Sequence, residues 1–203
     1  MNGPPRNDQR FRACDETVHD ALAALVGSQR RSVASLEQAD LLPNAVYWNL
    51  AINKPRRIWF DRALKAMSGC DLVFVDPDNG IECTGLRDTQ ARSCKFVFRS
   101  EIQSLILQGS SVVVYHHTGR LGGTAEEQTK RQLQSLCDQF SLAEEPFGVL
   151  FRRGTTRAYL ILPGPTHHDM LLDRTKALVK KWGQEEWKTG KPRRHFTGPI
   201  LLT

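Results

Sequence analysis

Two clusters of side chains in this sequence have the types and spacing for chemistry. The first is the run Asp76-Pro77-Asp78-Asn79-Gly80-Ile81-Glu82. Three carboxylates this close can accept hydrogen bonds from an amino group, take a proton as a general base, or ligate a hard cation. The second is the pair His116-His117. An imidazole supplies a base near neutral pH or a nitrogen ligand. Adjacent side chains of a strand point to opposite faces, so at most one of the two histidines faces a given site. The pattern leaves open which one. Pro-Asp-Asn-Gly is also a strong turn sequence, so Asp78 and Asn79 have a conformational use as well. Asp76 precedes a proline and is held extended.

The elements that must position these groups are legible as apolar runs. Leu72–Val75 (LVFV) and Ser111–Tyr115 (SVVVY) read as buried parallel strands. Each runs directly into one of the polar clusters. Open α/β sheets place their sites beyond the carboxyl ends of strands, which puts Asp76 and one histidine on a common rim. Strands read at 31–36 and 45–48 would bring Glu37 and Asn49 to that rim too. Helical spacing follows Asp15 up to Gly27, and Pro55 up to Gly69. Ser100 predicts the cap of a helix ending at Gly109, and Thr124 with Glu127 has capping-box spacing. Phe147–Phe151 and Ala158–Leu162 read as a hairpin, and His168 or Asp169 starts a last helix. The alternation from residue 55 onward predicts an α/β fold of three layers, with a mostly parallel sheet and a C-terminal antiparallel hairpin. Residues 1–165 are expected to form one domain, with 1–12 irregular. Residues 166–203 then form a C-terminal helix and basic tail.

Composition narrows the class. The 203 residues are 40% hydrophobic and 25% charged, enough for a core without a disulfide scaffold. No run reaches the ~18–20 apolar residues of a membrane helix, and the first residues lack the apolar stretch of a secretory signal. Five cysteines without a CxxC pair read as free thiols in a reducing, cytoplasmic setting. The net charge is +6, and the segment from Arg174 to His195 holds eight basic residues against two acidic ones. A neutral body with a basic tail points to a polyanion such as nucleic acid. Lys180, Lys181, Lys188, Lys191, Arg193 and Arg194 would contact phosphates there, with Trp182, Trp187 and Phe196 able to stack on bases. Arg120, in the glycine-bearing loop before the Thr124 helix, is a further phosphate-clamp candidate.

The stretch from Asp71 to Leu162 resembles the carboxyl half of the Rossmann-like S-adenosylmethionine-dependent methyltransferases. There a strand ends in Asp-Pro-Pro-Tyr or a relative, and a helix, a strand, a helix and an antiparallel hairpin follow. Asp76-Pro77-Asp78-Asn79 after LVFV is the counterpart here. The resemblance implies a Rossmann-like sheet and an acceptor nitrogen held by Asp76 and the Pro77 carbonyl. Asp78 and Asn79 stand where the family has a proline and a stacking aromatic. No glycine-rich cofactor loop occurs before residue 55; Glu37 is the candidate for the acid that binds the cofactor ribose. The chain is also similar to bacterial proteins of unassigned function with an Asp-Pro-Asp-Asn-Gly strand end. Three functions follow as expectations. The first is a methyltransferase-like enzyme acting on nucleic acid or a nucleotide, with Asp76, Pro77, Asp78 and His116 catalytic and S-adenosylmethionine as cofactor. The second is a phosphodiester hydrolase holding Mg²⁺ or Mn²⁺ on Asp76, Asp78, Glu82 and His116. The third is a non-catalytic Rossmann-like module that binds nucleic acid.

Overall fold

The computed structural model describes residues 12–28, 32–119, 122–153, 155–182, 185–188 and 191–202. Two compact units emerge, Met1–Ala51 and Ile52–Thr203. The first holds helices α1 (Glu16–Gly27) and α2 (Val33–Gln38). Asp15 caps α1 as expected, its carboxylate accepting from the Val18 N–H at 3.1 Å. The strand expected at 31–36 is instead α2. Ser32 is its cap, accepting from the Ser35 N–H at 3.1 Å, and this local bond outweighs a weak alternation of apolar side chains. Residues 45–48 form no strand either.

The second unit carries the sheet. In chain order it comprises α3 (Arg56–Ala66), β1 (Leu72–Val75), β2 (Gly80–Ile81), a 3₁₀ turn (Ala91–Lys95) and β3 (Phe96–Val97). Then come α4 (Arg99–Leu107), β4 (Ser111–His117), α5 (Ala125–Phe140), β5 (Phe147–Arg153) and β6 (Thr155–Leu162). α6 (His168–Trp182), β7 (Glu185–Lys188), β8 (Lys191–Arg194) and β9 (Phe196–Ile200) complete it. The five-stranded sheet has the order β1-β4-β6-β5-β9. Within this sheet only β1 and β4 pair in parallel, and the other three pairings are antiparallel; the separate β2–β3 pair is also parallel. The mostly parallel sheet expected from the alternation is therefore corrected to a mixed α/β sheet dominated by antiparallel pairs. Two expected parallel strands are absent, and β9 adds an antiparallel neighbour to β5. The expected hairpin 147–162 is present, and Thr124 with Glu127 forms the expected capping box on α5.

Strand alternation sorts the side chains into two faces. On one, Val73, Val112, Val114, Leu150, Leu160 and Leu162 pack in a single core with Ile102 and Leu105 of α4 and Leu133 and Leu136 of α5. On the other, Phe147, Val149 and Ile161 pack against Leu171, Leu172 and Val179 of α6. At the β1 side of that second face Leu72 and Phe74 are exposed, Phe74 to 54%.

One buried ion pair ties the helices to the loops around β2 and β3. The Arg56 guanidinium donates to both Glu101 carboxylate oxygens, at 2.7 and 2.9 Å. It also donates to the carbonyls of Ser93 and Phe96, at 3.1 and 2.8 Å. Glu101 Oε2 accepts in turn from the Phe98 N–H at 2.9 Å, at the start of α4. Both side chains are buried, so every donor matched here avoids a desolvation cost. Arg56→Ala leaves Glu101 charged and buried without its partner. We expect a loss of about 3–5 kcal/mol in urea-induced unfolding, from the cost of breaking a buried pair. A loss below about 1 kcal/mol would show that water replaces the guanidinium.

Candidate functional site

β1 delivers the first cluster of polar residues to the sheet rim, as its sequence requires. Register fixes the rest. Phe74 lies beside Val113 and Val75 beside Val114. Val114 is in the core, so Val75 and His116 belong to the core face, whereas Phe74, Asp76, Tyr115 and His117 share the opposite face. Across β4 and β6, Tyr115 opposes Tyr159 and His117 opposes Arg157. Across β6 and β5, Arg157 opposes Phe151. Phe74, Asp76, Pro77, Asp78, Tyr115, Phe151, Arg157 and Tyr159 line one open pocket of about 490 Å³.

Aromatic rings wall this pocket. Phe74 and Tyr159 have centroids 6.3 Å apart, and Tyr115 and Tyr159 meet edge to face at 5.9 Å. The Arg157 Nε–H donates to the Tyr115 hydroxyl at 3.0 Å. That hydroxyl sits 2.9 Å from His117 Nε2, to which its own proton is then available. Although solvent reaches Asp76, partial burial and then the neighbouring Asp78 charge hold its pKa above the usual carboxylate value. Burial first, then Tyr115, pushes the Tyr159 phenol up, so it stays a neutral donor. The pocket thus has acceptors at one end, a guanidinium at the other and flat apolar walls between.

Other expected members are elsewhere. His116, expected in the site, faces the core side, and His117 takes the pocket face. His116 Nδ1 accepts from the Ile81 N–H at 3.2 Å, a structural bond that holds β2 against β4. Burial first, then the His117 and Arg99 charges, lowers its pKa to about 4, so the ring is neutral. Gly80 sits where a Cβ would collide with the His116 ring and backbone, and its φ of +102° suits glycine alone. Glu82, expected as a metal ligand, accepts from the Arg99 N–H with both oxygens, at 3.0 and 2.9 Å. It caps α4, and the helix dipole favours its charge there while burial opposes it. The four expected ligands of Mg²⁺ or Mn²⁺ therefore do not converge. Among the described residues no three His, Cys, Asp or Glu side chains form a group that could hold a metal ion.

Glu37 is the residue expected to bind the ribose of S-adenosylmethionine. Glu37 lies within α2, not at a strand end, and its carboxylate accepts from Asn49 Nδ2 at 3.1 Å. The described part of residues 12–55 contains no strand to carry a glycine loop. At the glycine loop before α5, Glu127 already bonds the Thr124 N–H at 2.7 Å, and its negative charge opposes an anion there. Arg120 lies outside the described residues. Lys180 and Lys181 are exposed at the end of α6. Lys188, Lys191, Arg193 and Arg194 fall on the two-stranded β7–β8 ribbon, of which only the backbone is described. Its register sets Glu185 opposite Arg194 and Glu186 opposite Arg193. No protein-family model matches the chain, and no curated protein matches it.

The sequence reading missed Tyr159, Arg157, Phe151 and Phe74 as site residues. Their signal was available only jointly: each is a polar or aromatic position in a strand whose alternate positions are core. The neutral His116 yields a test. Its pKa of about 4 against an ordinary 6.5 means that the unfolded chain takes up a proton first as pH falls. Its contribution is complete above pH 6.5 and is lost as pH falls toward 4. We expect wild-type protein to lose up to about 3 kcal/mol over that window by this route. His116→Gln, which cannot titrate, removes that part of the slope. Parallel pH profiles for the two proteins in denaturant titrations would refute the assignment.

Proposed function

We propose that this protein recognises nucleic acid or a nucleotide by taking an unpaired base into the pocket at the end of β1. The observation that carries the reading is the pocket itself, with rings of Phe74, Tyr115, Phe151 and Tyr159 beside the Asp76 and Asp78 carboxylates. Every base has a π face that stacks on an aromatic ring, worth about 1–3 kcal/mol per base. Ionised carboxylates only accept hydrogen bonds. The edge they select must donate, which favours bases with an exocyclic amino group over thymine or uracil. Arg157, at the far side, is placed to meet a phosphate. The binding-module reading needs neither a metal nor a cofactor.

Methyl transfer is the second reading. Asp76-Pro77 at a strand end, followed by helix, strand, helix and hairpin, favours it. Calorimetric titration with S-adenosylmethionine decides it. Saturable heat would support this reading, and none at millimolar cofactor would remove it.

The base-pocket reading is tested with labelled homopolymers of dA, dC and dT in fluorescence anisotropy. Wild-type protein should prefer dA and dC over dT. Asp76→Asn, which replaces one acceptor oxygen by a donor, should reduce that preference about tenfold, a change of ~1.4 kcal/mol. Its thermal stability should hold or rise, because a carboxylate whose ionised form burial disfavours has been removed. Because the Asp76 pKa is raised, mild acidification should erode the preference at a pH above the ordinary carboxylate range. Failure of wild-type protein to bind any homopolymer would overturn the reading.

A further inference from the structure

The pocket is one end of a longer aromatic and cationic row. From β4 to β9 the paired positions on this face run His117, Arg157, Phe151 and Phe196. Phe151 and Phe196 have ring centroids 4.7 Å apart and are tilted by 34°. Phe196 then meets Trp182 at 6.4 Å, at the end of α6. Lys180 and Lys181 precede Trp182 and are exposed. Across three strand intervals the row covers about 14 Å. That is roughly four stacked-base steps of 3.4 Å.

From this row we propose that the ligand is a single-stranded oligonucleotide, laid across the strands from the Asp76 pocket to the basic end of α6. The inference rests on the base-pocket reading and deepens it. A mononucleotide spans only the pocket and does not reach the exposed lysines at the end of α6. A duplex keeps its bases stacked inside and offers no free π faces to a sheet surface. The charge is graded to match. Asp76 and Asp78 lie at the β1 end, where a base edge is read and phosphate is repelled. Arg157 in β6 and the lysines of α6 lie along the remainder, where a phosphate backbone is attracted.

The test is a length series on the full chain by competition anisotropy: a mononucleotide, a trinucleotide, an octanucleotide single strand and the same octanucleotide as duplex. Affinity should rise at least tenfold from mononucleotide to octanucleotide, with the duplex weaker than its single strand. The double variant Lys180→Glu, Lys181→Glu changes two exposed side chains and should fold. It should cut octanucleotide affinity at least tenfold and flatten its salt dependence, since fewer counterions are released. Phe151→Leu, which keeps an apolar side chain but removes the ring, should also weaken the octanucleotide. Affinity independent of length, or a duplex bound as tightly as the single strand, would overturn this proposal and leave the single-base pocket standing. No binding of the mononucleotide or of any oligonucleotide would overturn both.

Discussion

The two-residue period of β1 and β4 is the constraint on which the arrangement depends. These strands pair in parallel, Leu72 with Ser111 through Val75 with Val114. One face of the pair must be apolar, because α4 and α5 pack against it. Val73, Val75, Val112 and Val114 satisfy that demand. Their alternates then have nowhere to go except the second face, and those alternates include Phe74, Asp76, Tyr115 and His117. A slip of one residue in β4 would exchange His116 and His117 and bury the Tyr115 hydroxyl in the core. The candidate site therefore follows from the same register that builds the hydrophobic interior.

The core side of the rim is occupied by structural bonds. His116 receives the Ile81 N–H, Glu82 receives the Arg99 N–H, and Arg56 holds Glu101 with the Ser93 and Phe96 carbonyls. Each satisfies a polar group that burial would otherwise penalise. Together they anchor the short β2–β3 ladder and the start of α4. This explains why a cluster of acids and histidines that looks chemical in sequence divides in space. Half of it stabilises the loop after β1, and the other half opens onto the pocket.

The open face differs from an ordinary solvated sheet face. An exposed phenylalanine, two tyrosines in edge contact and an arginine bonded to a tyrosine hydroxyl form a surface that is both apolar and hydrogen-bonding. Aromatic side chains offer large contact area at low conformational-entropy cost. The bond from Arg157 to Tyr115 also orients the guanidinium on this face. The same face is covered further along by α6, through Leu171, Leu172 and Val179. Its aromatic part thus changes from platform to core across one sheet.

Local chemistry in the sequence determined the elements. Asp15, Thr124 and Glu127 specify helix starts because a short side chain bonds the free N–H groups of the next turn. LVFV and SVVVY specify strands because β-branched and aromatic side chains fit a pleated surface. The turn after Val75 and the position of Asp76 at a strand end were legible for the same reason. Tertiary structure decided the rest. The expected pairing of the residues around Ser32 with the sheet is absent, since Val33–Gln38 is a helix in the first unit. The antiparallel order of β4, β6, β5 and β9 depends on pairing between distant segments, to which local periodicity is blind. Whether His116 or His117 faces the site depends on which face of β4 meets the helices. Tyr159, Arg157 and Phe151 join Asp76 only because the strands that carry them lie side by side.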